Sequence, residues 1–464
     1  MRKILLIIVI TLLVGTSFAN APHSTIDNSS NFNPIIYLWL VLFIALSRGL
    51  SVIKKIGLPL IVGEILAGVI LGDLDLLGIQ LFHDADQNSI IKFLAELGAI
   101  ILMFEIGLES KLSDLRKNFN IGIKLAIYGS IFTFGGGFLI SKYLIPNSNT
   151  NLNLLIGVIC AATATGISAK TFKEMKILTT KEVKIVLVSS VLDEVLSIIL
   201  FGIISSMILD DIVNFTNLST SIIQVIGFFG FAAICGQWIT PLLTKWSTKI
   251  HAGMNMKIGV LLGICFFFSW LAHQMGLATV IGAFIAGLIL DEVYFKSFSR
   301  ASFFTKLSLV SSKIVDPKLQ KNLDEIILTQ ERRNLEEMLK PLSHVFVPMF
   351  FIYIGLLLDV KRLLHAETII IVAALVIVSF TGRIIAGFML REKKVNQLIL
   401  GLGMTPIGEA GLIFAMFGKN VGLINSATLA AVVAALVISA ITAPIFIKIA
   451  IHYFGVNRVN NIHS

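Results

Sequence analysis

Two carboxylates stand side by side where a polypeptide has no structural use for them. Asp193 and Glu194 lie inside the apolar run Ile185 to Met207. Counted from Val183, a helix rise of about 1.5 Å per residue carries them about 15 Å along the axis. That is the middle of a hydrocarbon core about 30 Å thick. Each ionisable group at that depth costs about 2.5–3.5 kcal/mol on insertion scales, so a pair of them asks for a function. Adjacent carboxyl groups in a medium of low dielectric resist carrying two charges, through desolvation and mutual repulsion. Such a group holds either a proton or a dehydrated cation, but not both. Mutually exclusive occupancy, combined with alternating exposure to the two sides, is sufficient for exchange.

Other polar residues fall into place around this pair. Arg383 interrupts a second apolar run, eight residues before Arg391, which puts it about 12 Å from that end of its helix. The matching depth predicts an ion pair with Asp193. Thr163 and Thr165, with backbone carbonyls freed at a helix break, are candidates to complete an oxygen shell. Glu409 follows Pro406 and Gly408 and reads either as a local cap or as a second charge partner of Arg383. Glu64, Glu96 and Glu105 read as packing or interface groups, or as the lining of a wet cleft. His273 reads as interfacial.

The elements that position these groups are membrane helices. Hydrophobic residues make up 56% of the 464 and charged residues only 14%, with a mean hydropathy of +0.90. A soluble chain of this length needs far more polar surface. The apolar runs reach helix-spanning length without the short alternation of a membrane β-barrel. The expected fold is therefore an all-α polytopic membrane protein with about thirteen spans between residues 34 and 453. The fourth is expected at 119–141, the fifth at 152–170, the sixth at 183–209, the tenth at 341–358, the twelfth at 395–418 and the last at 427–453.

The loops set the orientation. Basic stretches such as Lys111 to Lys117, Lys170 to Lys184 and Arg391 to Lys394 alternate with acidic or neutral turns. This places the N-terminus outside and the C-terminus in the cytoplasm, with Lys361-Arg362 as the exception. The net charge of +9 follows from those loops and implies no nucleic acid. Residues 1–21 read as a signal peptide ending in small residues near Ala19 or Ala21. Residues 291–340 read as a cytoplasmic loop insertion and 454–464 as a cytoplasmic tail. Cys160, Cys235 and Cys265 lie in apolar runs without ligand spacing, so no metal centre or cofactor is expected.

The two halves of the chain repeat one another. Val62-Gly63-Glu64-Ile65-Leu66-Ala67-Gly68 echoes Ile281-Gly282-Ala283-Phe284-Ile285-Ala286-Gly287, and Phe104-Glu105-Ile106-Gly107-Leu108 echoes Ile352-Tyr353-Ile354-Gly355-Leu356. Thr163-Ala164-Thr165-Gly166 pairs more weakly with Thr405-Pro406-Ile407-Gly408. An odd number of spans separates the partners, so the repeats are inverted, as in many secondary transporters whose sites lie at interrupted helices. Pro406 and Gly408 give the twelfth span a physical reason to break. The break in the fifth, at 163–166, is inferred from the repeat.

At these residues the chain resembles the second family of monovalent cation:proton antiporters, the sodium/proton exchangers and Kef-like transporters. The likeness rests on Leu102-Met103-Phe104-Glu105-Ile106-Gly107-Leu108-Glu109, on Ala161 to Ile167, on Val191-Leu192-Asp193-Glu194 and on Gly403-Met404-Thr405-Pro406-Ile407-Gly408-Glu409. The resemblance implies two crossing broken helices and a homodimer in which a core domain carries ions past a fixed dimerisation domain. It implies that Glu194 matches the ion-carrying carboxylate and Asp193 the one held by a basic residue. The chain departs from the pattern in having Asp-Glu where sodium/proton members often have Asp-Asp. Arg383 stands where many have lysine, and Ile407 replaces an arginine. Because arginine keeps its proton at any workable pH, a scheme in which residue 383 discharges is excluded.

The function expected is antiport of a monovalent cation for H⁺ across a bacterial inner membrane, serving pH homeostasis. Na⁺ is the leading cation, with K⁺ and Li⁺ as alternatives. A sodium-coupled solute symporter or a cation channel on the same scaffold are the competing readings. With one carboxylate held by Arg383 and one exchanging, transport is expected to be one-for-one and electroneutral. No nucleophile–base constellation points to an enzyme.

Overall fold

The computed structural model describes residues 34–49, 59–74, 82, 85–109, 112–210, 215–235, 242–243, 246, 254–290, 338–358, 360–363, 365–392 and 395–454. The expected signal peptide, nearly all of the 291–340 insertion and the C-terminal tail beyond Phe454 lie outside these residues. Among those described, all regular structure is helical. Six helices among the described residues are long and apolar enough to cross a membrane, and shorter apolar ones accompany them.

The chain divides into two compact units, one of residues 1–99, 117–218 and 345–464, the other of residues 100–116 and 219–344. The first opens with α1 (Ile35–Gly49) and α2 (Leu60–Gly72). Next in the chain come α3 (Ser89–Glu109), which belongs to the first unit up to residue 99, and α4 (Leu112–Leu144), which belongs to it from residue 117. The Asn88 side chain accepts from the Ile90 and Ile91 amides at the start of α3, which satisfies donors no helical carbonyl can reach. At 33 residues, α4 overruns the expected 119–141 span at both ends. Nothing in Leu112 to Asn120 breaks a helix, and Pro146 follows soon after its end.

The fifth span is two helices, α5 (Thr150–Ala161) and α6 (Thr165–Glu174), with 162–164 extended between them. α7 (Lys181–Asp210) then carries the acidic pair. Lys170, expected in a basic loop, instead lies within α6 and is buried. The half-helix is so polar, with Thr165, Ser168, Lys170, Thr171, Lys173 and Glu174 in ten residues, that apolar periodicity gives no sign of it.

The second unit holds α8 (Phe215–Ile234) from residue 219 on, α9 (Met254–Gln274) and α10 (Thr279–Ile289). α9 and α10 turn back on each other through Gly276, whose φ of 72° lies in the left-handed region that glycine enters at no steric cost. A Cβ at Gly282 would come within 2.7 Å of Ser269 Cα, so the two backbones touch.

The helix α11 (Met338–Leu356) begins three residues before the expected tenth span. The four-residue α12 (Val360–Leu363) and α13 (Ala366–Met389) follow. The twelfth span is again two helices, α14 (Gln397–Leu402) and α15 (Glu409–Asn420). Asn396 caps α14 by accepting from the Leu398 and Ile399 amides. Last comes α16 (Ser426–Phe454), which runs on through Pro444.

The inverted repeat is visible as contacts. In the first unit a Cβ on Gly68 of α2 would sit 2.8 Å from Gly355 Cα of α11. In the second, a Cβ on Gly107 of α3 would sit 3.1 Å from Gly287 Cα of α10. Each copy of one motif thus meets the opposite copy of the other. The third echo does the same, since Thr163 and Ile407 form an antiparallel β-bridge. Ala164 N–H donates to the Pro406 carbonyl at 2.8 Å, and Gly408 N–H to the Ala162 carbonyl at 3.0 Å. The two broken spans cross at their breaks.

Candidate functional site

The crossing decides what the freed backbone does. Away from water, an unpaired peptide group costs free energy comparable to a lost hydrogen bond. The two extended segments therefore pair with each other. Other carbonyls near the breaks are also engaged: Ala161 accepts from Arg383 Nη2 and Thr405 from Ser379 Oγ at 2.7 Å. The carbonyls of Ala161, Ala162, Thr405 and Pro406 serve the scaffold first, which narrows the oxygen shell expected from the sequence. Gly408 is required by closeness, because a Cβ there would come within 2.7 Å of the Thr163 carbonyl oxygen.

Asp193 is completely buried and held from three directions. Arg383 on α13 donates from Nη1 to Oδ1 at 2.9 Å and from Nη2 to Oδ2 at 2.8 Å. Ser130 on α4 donates to Oδ1 at 2.5 Å. Thr163, at the first break, donates to Oδ2 at 2.5 Å. A bidentate guanidinium fork adds geometric specificity to charge. Removing two charges from water costs several kcal/mol per ion, offset only when the remaining lone pairs are also satisfied. Ser130 and Thr163 do that here. Arg383 itself is 1% exposed and fits because α4 presents Gly129, where a Cβ would come within 3.1 Å of Arg383 Cδ.

Glu194 is buried too, at 3% exposure, but it looks elsewhere. Successive residues of a helix are turned by about 100°, so Asp193 and Glu194 face different neighbours. Ser189, one turn before Asp193, has its Oγ 3.0 Å from the Gly122 carbonyl oxygen of α4. On the other face, Ser190 Oγ lies 3.2 Å from Met404 Sδ. Phe201, two turns beyond Glu194, stacks on Phe414 at 4.2 Å and meets Phe417 edge-on at 5.2 Å. The face bearing Glu194 is thus the one turned to the second broken span.

Of the residues singled out from the sequence, Asp193, Arg383 and Thr163 come together directly. Thr163 spends its hydroxyl proton on Asp193, leaving only lone pairs for an ion. Thr165 begins α6 beside the crossing, and its Oγ1 is buried without a hydrogen-bond partner. Pro406 and Gly408 form the second break. Glu409 opens α15 directly after it, while its side chain lies outside the described residues. Glu105 accepts from Ser343 Oγ at 3.1 Å within the second unit, and Glu96 is on an exposed helix face. Glu64, expected to pack or line a cleft, instead pairs with Lys170 at 2.5 Å.

Sequence reading missed Ser130 and Gly129. Their signal is the run of small residues on α4, Gly129, Ser130, Thr133, Gly136 and Gly137. That run cannot be told from an ordinary helix-packing face without knowing what lies against it.

Comparison with known proteins gives the family and the fold. Residues 39–310 and 326–451 match the family model described as sodium/hydrogen exchanger, transmembrane. The high-affinity Na⁺/H⁺ antiporter NhaS3 of Synechocystis is 29% identical over 443 residues, covering 88% of each chain. An Na⁺/H⁺ antiporter of Enterococcus hirae is 27% identical over 88% of this chain and 96% of its own. The Na⁺/H⁺-K⁺ antiporter GerN of Bacillus cereus is 25% identical over 88% and 94%. Among solved structures, the sodium proton antiporter MjNhaP1 of Methanocaldococcus jannaschii superposes with a TM-score of 0.56 at 16% identity. It covers 91% of this chain and 97% of that one, a likeness of fold.

Proposed function

The chain belongs to the sodium/hydrogen exchanger family, an integral multi-pass membrane protein built for cation/proton antiport, and from that premise we propose how its carboxylates divide the work. Glu194 is the group that trades a proton for the cation. Asp193 is the fixed carboxylate beside it, clasped by the Arg383 guanidinium. Na⁺ is the cation we assign first, because the relatives above are named as Na⁺/H⁺ antiporters. The one named as an Na⁺/H⁺-K⁺ antiporter keeps K⁺ as the alternative.

The observation that carries the assignment is the enclosure of Asp193. Four hydrogen bonds from Ser130, Thr163 and Arg383 occupy both oxygens of Asp193. A carboxylate so engaged has to surrender those donors before it can take a cation or a proton. Glu194 lies on the face turned to the second broken span. Thr165 and the lone pairs of Thr163 are the oxygens we assign to the ion beside it, with Glu409 as a further charge at the restart of α15. With one exchanging carboxylate, one cation moves for one proton and no net charge crosses.

The working unit we propose is a homodimer in the bacterial inner membrane, made with a cleaved signal peptide and serving pH homeostasis. Its N-terminus is extracytoplasmic and its C-terminus cytoplasmic, in line with the basic loops.

Everted vesicles test the whole reading. Adding Na⁺ should discharge a preformed pH gradient, and Glu194→Ala should abolish the signal. Full exchange by that variant returns the carrier role to Asp193. A rate that responds to membrane potential overturns the electroneutral count.

A further inference from the structure

A second ion pair is sealed within the spans, apart from Asp193. Lys170 Nζ lies 2.5 Å from Glu64 Oε2, with side chains 10% and 1% exposed. The same ammonium stands 4.2 Å from the centroid of the Phe351 ring, a cation–π contact that strengthens where water is absent. One turn away, Glu174 Oε2 accepts from the Leu60 backbone N–H at 2.7 Å.

These contacts form a ladder. Glu64 follows Leu60 by four residues and Lys170 precedes Glu174 by four, so α2 and α6 run antiparallel with two rungs one helical turn apart. The same short helix starts at the crossing, where Thr163 bridges Ile407. One end of α6 is therefore part of the ion site, and the rest of it is fastened to α2.

The register of the ladder is all-or-none. Sliding α6 by one turn, about 5.4 Å, in one direction sets Glu174 against Glu64, two carboxylates in low dielectric. Sliding it in the other sets Lys170 beside Leu60 and Glu64 beside Gly166, which leaves both charges without each other. No neighbouring register keeps the ion pair, so movement of α6 along α2 has no halfway position.

We propose that the Glu64–Lys170 and Leu60–Glu174 rungs are a latch, closed in the conformation described here and open in the oppositely facing one, so that α6 leaves α2 once in every transport cycle. The proposal rests on the antiport reading above, since only a protein that alternates its access has to release such a contact.

The test is a reversible bridge. In full-length protein carrying Cys160→Ala, Cys235→Ala and Cys265→Ala, the pair E64C and K170C is joined by an ethane-spanned bis-methanethiosulfonate, then freed with reductant. Na⁺-driven proton flux in proteoliposomes should fall at least tenfold on bridging and return on reduction. Flux within twofold of the free protein when bridging is complete means that α2 and α6 move together, and the latch fails. Loss of flux in the free protein as well, with the unsubstituted chain also inactive, strikes at the antiport reading instead. Deuterium uptake at the Leu60 amide of the unsubstituted protein gives a second readout that needs no substitution. Its rate should change at least tenfold between substrate-free and Na⁺-exchanging proteoliposomes, and an unchanged rate overturns the latch.

Discussion

The two buried ion pairs of the first unit use the same kinds of charge and are built to opposite plans. Asp193 is enclosed: a guanidinium fork spans both its oxygens, and hydroxyls from α4 and the first break fill the remaining directions. Glu64 is met by an ammonium, a compact point charge on a flexible stem, whose other neighbour is an aromatic face. Releasing Asp193 breaks a two-pronged fork and two hydroxyl contacts at once, whereas parting Lys170 from Glu64 breaks one ammonium–carboxylate contact. A charge that must stay is gripped by a rigid fork, and a charge that must let go is held through a flexible stem.

Substitutions can break that comparison. The largest effect is expected from Arg383→Met, which leaves a buried carboxylate without its cation at a cost of about 3–5 kcal/mol. It should be seen as a marked fall in the thermal midpoint of detergent-purified protein. An unchanged midpoint would show that Asp193 is not the fixed member. The double change D193L/R383M should remain destabilised, though less than R383M, because it removes the buried charge yet orphans Ser130, Thr163 and the Ala161 carbonyl.

Ser130→Ala removes a single hydrogen bond to a charged acceptor, worth about 1.5–3 kcal/mol. Its thermal shift should lie between that of R383M and zero. The smallest effect on stability is expected from E64L/K170M, within about 1 kcal/mol, since replacing both members of a buried pair by apolar residues is often neutral. A shift as large as that of D193L/R383M would mean the two pairs follow one plan after all.

Much of the pattern is legible in the residues themselves. Long apolar runs gave the helices, and matching depths along two of them paired Asp193 with Arg383. The weak echo of Thr163-Ala164-Thr165-Gly166 in Thr405-Pro406-Ile407-Gly408 located both breaks, although only one contains proline. What stayed hidden shares a physical cause. Lys170 looks like loop because its half-helix carries too many polar residues for a span, and only the partner 106 positions away explains its burial. Ser130 and Gly129 are small residues whose role depends on what enters the space they leave. The crossing likewise redirects carbonyls that a single broken helix would have offered to an ion, because two breaks in contact satisfy one another.

The reciprocal glycine contacts, Gly68 with Gly355 and Gly107 with Gly287, have a consequence for how the gene tolerates change. A single joint, specified once and copied in reverse, fails in the same manner wherever it occurs. Saturation mutagenesis should return matched tolerance profiles at 68 and 287, and at 107 and 355, positions far apart in sequence. Each profile should admit glycine and little else. The joint also constrains its own revision, because a larger residue on one side has no smaller residue to ask for on the other.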